Sequence, residues 1–333
     1  MRARLLRIAL IVLLGLVLGG VAYAAGLAMS NPGPREAAGW TLLATLPSAR
    51  GETAAAVTGD RLYVIGGLTG LGGDASAEVS VYDPASDSWQ AAPAVPSARH
   101  HVAAAGLSGT VYVSGGGPSA SDWTPQPTLW ALDAGATAWR DFAPMPEGRL
   151  GHRMLAVGAQ LYVVAGIGDT ARVLIYDVAA DTWTAGAEMP SPQRDHVAAV
   201  VVDGEIWEMG GRAGGQNFAR VDIYDPGTDS WREGPPLPEP TSGAAEGVVG
   251  GRIMISGGEN PGQGGGVIDR HWQLNTTLDG GAAWEPLSPP PLAVHGAHGA
   301  TLGGRFLIVG GALRQGAFSR FSWTGANQAY QPE

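Results

Sequence analysis

Six times along the chain a short apolar, β-branched run ends in two small residues: LYVIGG closing at Gly67, VYVSGG at Gly116, LYVVAG at Gly166, IWEMGG at Gly211, IMISGG at Gly258 and FLIVGG at Gly311. A tryptophan precedes each run at a nearly fixed distance. From Trp40, Trp89, Trp139, Trp183, Trp231 and Trp284 to the first residue of the next small pair, the intervals are 26, 26, 26, 27, 26 and 26 residues. From each pair onward to the following Trp the interval varies instead, as 23, 24, 18, 21 and 27. Between these landmarks stand VSVYDPASDSW, LWALDAGATAW, VLIYDVAADTW and VDIYDPGTDSW. Their alternating or β-prone residues predict a strand, and the Asp-x that follows predicts a turn. Each unit therefore reads as four short strands: a after a Pro-rich turn, b ending at the small pair, c ending near Tyr-Asp, and d opening at Trp. A four-stranded repeat of about 45–50 residues is a propeller blade.

The ends of the chain fix the blade number. After Gly311 the pattern offers one more strand, Phe318 to Trp323, while Trp40 opens a d strand with no blade before it. The economical solution is an N-terminal strand that completes the last blade and closes the ring, which removes the open sheet edges. The expected fold class is all-β, a six-bladed propeller over residues 38–323. It is preceded by a signal or transmembrane helix (1–29) and a linker (30–37) and followed by a short polar tail (324–333), with the addition of part of that tail to the sixth blade as an alternative. Within it the tryptophans and Tyr82, Tyr176 and Tyr224 are expected to pack between blades. Asp83, Asp133, Asp177 and Asp225 should hold the c–d turns.

The double glycine, the Tyr82-Asp83, Tyr176-Asp177 and Tyr224-Asp225 pairs and the spaced Trp resemble the kelch repeat, over residues 38 to 323. Departures are mild: Ala165 replaces a glycine, Leu132 and Leu274 replace the tyrosine, and the last repeat lacks its own Trp. The resemblance implies a binding module that uses the face carrying the b–c and d–a connections, with d–a arginines gripping a ligand. Two enzyme groups resemble the pattern as well. Galactose-oxidase-like copper radical oxidases need a cysteine cross-linked to tyrosine, and this chain has no cysteine. Periplasmic sialic-acid mutarotases would need an acid, a base and a carboxylate clamp.

Composition narrows the picture further. Gly 52 and Pro 24 in a chain that is 45% apolar indicate many tight turns rather than disorder. A formal charge of −10 argues against nucleic-acid partners. Without cysteine there are no disulfides and no thiolate chemistry, and neither a cofactor nor a metal is expected. At the N-terminus Arg2, Arg4 and Arg7 flank a run from Ile8 to Met29 without charge, with Ala22-Tyr23-Ala24 as a small-x-small cleavage site. That is a secretory signal or a single membrane anchor, with the propeller outside the cytoplasm.

Antiparallel strands place the b–c and d–a connections on one face, and the variable interval falls in b–c, so that face is the expected binding surface. Sixteen residues before the small pairs stand Arg50, Arg99, Arg149 and Arg194, then Thr241 and Val294; at the start of strand c stand Glu78, Thr128, Arg172, Arg220, Arg270 and Arg320. Eight of 20 arginines thus map to one rim, which suits an anionic carbohydrate or an acidic protein segment. Residues that break the repeat are specificity candidates: His295, His298, Glu246, Trp123, Glu259 and Asn260. His100, His101, His152 and His196 lie just after the arginines but on different blades, without short ligand spacing, and are expected to pack at strand ends. The function expected is non-catalytic binding, with acidic-sugar mutarotation or a surface scaffold as alternatives. A compact cluster of one carboxylate, one His and two Arg at the axis would favour the enzyme; a broad, shallow rim would favour a protein partner.

Overall fold

The computed structural model describes residues 15, 19–20, 31–190, 192–261, 266–276 and 283–332. The expected signal or anchor segment lies almost wholly outside them, and no helix among the described residues is long and apolar enough to cross a membrane. The propeller is the compact unit Pro34–Glu333.

Six four-stranded antiparallel sheets follow one another along the chain. The first blade is Ala54–Thr58, Arg61–Ile65, Val79–Asp83 and Ser88–Ala92, and the next four repeat that order. In the sixth, Trp40–Leu43 forms strand d and pairs in register from Trp40↔Tyr330 to Leu43↔Asn327. The N-terminal strand closes the ring as the repeat pattern requires. Strand c of that blade corrects the expectation: it is Asn327–Tyr330, inside the supposed tail, whereas Gly316–Phe321 is a 3-10 helix. The cause is local, since Asn327 and Gln328 are polar yet buried. The Gln328 amide accepts from the Leu292 N–H at 2.7 Å and donates to the Leu292 carbonyl at 3.0 Å.

Strand b is apolar on both faces because a neighbouring blade covers each side. The buried apolar residues accordingly gather into a main cluster at each of the six blade interfaces, including that between the sixth blade and the first, with a smaller one of Ala165, Met189 and Val197 between the third and fourth. The tryptophans tie these interfaces. The indoles of Trp89, Trp139, Trp183, Trp284 and Trp40 each donate to a carbonyl of the preceding blade, at Ala44, Pro93, Ala143, Pro235 and Ser288. The tyrosines act through a second residue. Tyr82, Tyr176 and Tyr224 donate to Asp87, Asp181 and Asp229, whose carboxylates also accept an N–H from the blade before. Asp83, Asp177 and Asp225 cap the c–d turns as expected, whereas Asp133 accepts from Thr110 and Arg140.

The a strands line a central channel and touch their neighbours all around the ring. Close approach there demands glycine: a Cβ on Gly106 would lie 1.9 Å from the Val57 carbonyl oxygen. Gly106→Ala is expected to cost about 1–3 kcal/mol by overpacking, read as a lower denaturation midpoint with unchanged m-value.

Candidate functional site

The d–a turns bring one residue of each blade to the axis, two positions after the arginine site. These residues are Glu52, His101, Gly151, His196, Gly243 and Gly296. Each N–H donates to the carbonyl of the residue before it in the ring, at distances of 2.7 to 3.0 Å, and the Glu52 N–H closes the circle onto Gly296. All six adopt left-handed backbone, with φ from 52 to 65°. Glycine reaches that region freely, whereas a larger residue pays on the order of 1–3 kcal/mol. Three positions are nevertheless Glu52, His101 and His196, and their side chains meet on the axis. The Glu52 carboxylate lies 3.1 Å from His101 Nε2 and 3.8 Å from His196 Nε2.

Above this ring opens a cavity of about 500 Å³ on the b–c/d–a face. Glu52, His101, His196, Arg212, Glu259 and His295 border it, and Trp123, Trp323, Leu68 and Arg320 line it as well. A hairpin in the fourth b–c connection, Arg212–Ala213 paired with Gln216–Asn217, carries Arg212 over the axis. There the guanidinium reaches Asp195 at 3.0 Å, Glu259 at 3.0 Å and His196 Nε2 at 3.2 Å. His295 Nδ1 stands 3.6 Å from Glu259, and its Nε2 meets the Arg314 carbonyl at 2.7 Å. The Trp123 ring packs against His100 and His101, with its N–H held by the Ala120 carbonyl, and stays 40% exposed.

Burial works against ionisation of Glu52, but the imidazoles of His101, His196 and His295 outweigh it and hold the carboxyl at about 2. Glu259 is likewise opposed by burial and held below the usual range by His295, the Gly316 amide and Arg212. Burial pushes His101 well below the ordinary imidazole value.

Most of the expected arginine rim turns away from the axial cavity. Arg50, Arg149 and Arg194 are buried, each with its head turned into its own blade. Arg50 meets Glu78 at 2.7 Å and Ser80 at 3.0 Å. Arg149 pairs with Glu147 and donates to the Ala165 and Arg172 carbonyls. Arg194 holds Glu208, Asp222 and the Gly210 carbonyl. Thr241 donates to the Gly257 carbonyl from the same repeat position, so the site serves the blade. Arg99 is buried beneath Trp130, its guanidinium 5.6 Å from the ring centroid. Arg172 pairs with Glu188, Arg220 with Asp222 and Glu233, and Arg270 donates to the Asp269 carbonyl, all away from the axial cavity. Glu246 and His298 lie deeper, in the channel between the a strands, where Glu246 binds Arg153 at 2.9 Å. Of the candidates Trp123, His295 and Arg320 reach the cavity, together with Glu259.

His101 and His196 were expected to be packing residues, and the ring brings them together. The available signal was positional: they and Glu52 stand where the other repeats carry glycine.

Closed geometry and axial cavity define a six-bladed ring propeller with an open cavity on the face of its variable loops. The fold is a six-bladed β-propeller of the kelch type. A family model described as the kelch motif matches residues 49–96 and 193–238, the first and fourth blades. The chain is 30% identical over 166 residues to human Kelch-like protein 34, covering 49% of this chain and 26% of that protein. It is 25% identical over 299 residues to Kelch-like protein terF of Aspergillus terreus, covering 88% of this chain and 55% of the relative. The chain thus spans about a quarter to a half of the length of these relatives. Among solved structures it superposes on YjhT with a TM-score of 0.72 at 17% identity, covering 87% of this chain and 97% of that one.

Proposed function

We propose that the propeller binds a small polyhydroxylated ligand, a sugar or sugar acid, in the axial cavity. The observation that carries this reading is the cavity itself. Its volume of about 500 Å³ falls in the range of small-molecule sites, and it joins a fixed, half-exposed indole to a floor of carboxylates, imidazoles and one guanidinium. Trp123 offers a flat apolar face for a sugar ring, and the floor offers both donors and acceptors for hydroxyls. Arg320 in the wall supports a carboxylate on the ligand. An acidic protein segment finds less support, because the four d–a arginines expected to grip it are buried. The basic flank and uncharged run of residues 2–29 support action outside the cytoplasm, with attachment to a membrane if the segment is retained.

One observation favours a catalytic variant. Two carboxylate–imidazole pairs, Glu52–His101 and Glu259–His295, face one cavity beside Arg212 and Arg320. That cluster meets the criterion for acid–base work on a sugar ring.

A ligand that binds only the folded protein raises its melting temperature. Sugars or sugar acids are expected to do so, by about 2.7 kcal/mol of apparent stability at a hundredfold excess over Kd, and Trp123→Ala should abolish the shift. No shift with any sugar of either kind would refute the reading. Anomer exchange followed by NMR separates catalysis from binding, since only a mutarotase speeds it.

A further inference from the structure

We propose that Glu52, His101 and His196 form a divalent transition-metal site on the propeller axis, with zinc the best-suited ion and an open position facing the cavity. The site deepens the pocket reading given above by naming what occupies its floor.

The backbone supplies the first argument. All six ring positions require left-handed backbone, and Gly151, Gly243 and Gly296 supply it without strain. The ring hydrogen bonds use only main-chain atoms, so closure of the fold does not need a side chain at any of the six. The three positions that carry one bring a carboxylate oxygen and two imidazole nitrogens within 4.8 Å of one another. Strain of this kind persists where the side chain has a task of its own.

The hydrogen bonds around the imidazoles supply the second. His100 Nε2 lies 2.8 Å from the Ser119 carbonyl, which can only accept, so that nitrogen carries a proton. Neutral His100 then accepts at Nδ1 from the Nδ1–H of His101. His101 Nε2 is left with a lone pair aimed at the Glu52 carboxylate 3.1 Å away. A cation between this nitrogen and the carboxylate would take a lone pair from each. His196 is arranged alike, its Nδ1 on the Asp195 carboxylate and its Nε2 lone pair turned toward Glu52. Each imidazole thus has its far nitrogen fixed by an acceptor, the arrangement that orients histidine ligands. Arg212 Nη2 shares the His196 lone pair at 3.2 Å and would turn wholly to Asp195 and Glu259 on metal entry.

Charge and size agree. Glu52 lies beside His196, while Asp195 and Glu259 share Arg212, so three carboxylates gather around one guanidinium, a setting that suits a divalent cation. Tetrahedral zinc with ligand bonds of about 2.0–2.1 Å sets its donors about 3.3 Å apart. The separations of 3.1 and 3.8 Å from Glu52 need only small side-chain rotations to match. Two imidazoles and one carboxylate leave a fourth position for water or a ligand hydroxyl.

The test uses the whole protein, stripped with a chelator and titrated calorimetrically with Zn²⁺, and with Co²⁺ followed by its visible absorption. One equivalent is expected to bind, Co²⁺ with the intense bands of a tetrahedral site. Loss of outer-shell partners alone weakens metal sites by 10–100-fold, so Glu52→Gly and His101→Gly should each weaken binding by at least about 100-fold. Because glycine suits these positions, both variants should keep the metal-free melting temperature or raise it, which separates lost ligation from lost folding. No stoichiometric binding by folded wild-type protein, or binding unchanged in the folded His101→Gly variant, would overturn the site. Sugar-induced shifts in the metal-free protein are read separately, so a missing ligand and a missing metal give different results.

Discussion

Arg194→Met is expected to lower the stability of the propeller by about 3–5 kcal/mol, the usual result of removing one partner from a buried ion pair, which for a domain of this size lowers Tm by on the order of 10 °C. Arg194, Glu208 and Asp222 are all fully buried, with the guanidinium 2.8 Å from one carboxylate and 2.6 Å from the other. Its loss leaves two carboxylates in the fourth blade without their shared counter-charge, takes the side-chain donor from the Gly210 carbonyl, and leaves the Arg220 carbonyl with only the Gly210 N–H. The deficit depends on pH. Burial, partly countered by Arg194, pushes Glu208 up to about 7 from an unfolded value of 4.5. The folded state therefore holds the Glu208 proton more tightly than the unfolded state. The stability this contributes is full below about pH 4.5 and is lost as pH rises through 7, by on the order of 3 kcal/mol. Removing Arg194 takes away the charge that favours the carboxylate, so the gap between variant and wild type should widen from pH 5 to pH 8. Glu208→Gln should flatten the wild-type slope over the same window. Replacing all three residues with apolar ones of similar volume should recover most of the loss, since such replacements are often neutral or stabilising. Thermal melts of the four proteins at both pH values decide it. A variant within 1 kcal/mol of wild type (about 2–4 °C) at pH 8 would contradict the buried-triad account.

This triad marks where sequence reasoning reached its limit. Repeat period, strand order and ring closure were legible because every blade repeats the same local bargain: a doubly covered strand b, two small residues at its end, and a Trp reaching back to its neighbour. Register also placed Arg50, Arg149 and Arg194 in equivalent turns. It did not reveal which way their side chains run, because that depends on acceptors elsewhere in the blade. For Arg194 these are Glu208, Asp222 and the carbonyls at Gly210 and Arg220. The axial cluster was hidden for the opposite reason. Glu52 and His196 lie three blades apart in sequence and meet only because the ring closes, so spacing along the chain says nothing of their contact. Asking which residue faces the axis in every repeat would have found both. Hydrophobic pattern failed at Asn327–Tyr330, where NQAY reads as surface although all four residues are buried.

That strand is where the second large effect is expected. A chain ending at Ala326 should lose the cooperative unfolding of the complete propeller. Asn327–Tyr330 pairs with Arg305–Val309 on one side and Trp40–Leu43 on the other. Without it the N-terminal strand has no partner and the sixth blade keeps only two strands. The damage extends to two interfaces. Ala329 belongs to the apolar cluster against the first blade, and Tyr330 to that against the fifth, where it packs on Trp40 and His271 at 5.3 and 4.6 Å. An open ring exposes both clusters together with strand edges, so the truncated chain should bind hydrophobic dyes, aggregate on heating and be cut by protease near Trp40. Removing only Pro332 and Glu333 should leave the melt unchanged, because the described contacts of the last strand end at Gln331, whose N–H donates to the Gly39 carbonyl. A chain ending at Ala326 that melts cooperatively at the wild-type temperature would show that the ring holds without its closing strand. The axial ring of backbone hydrogen bonds would then be the stronger clasp. Because that ring also fixes Glu52, His101 and His196, the same truncation should degrade metal and ligand binding only if the outer closure is what keeps the inner one in register.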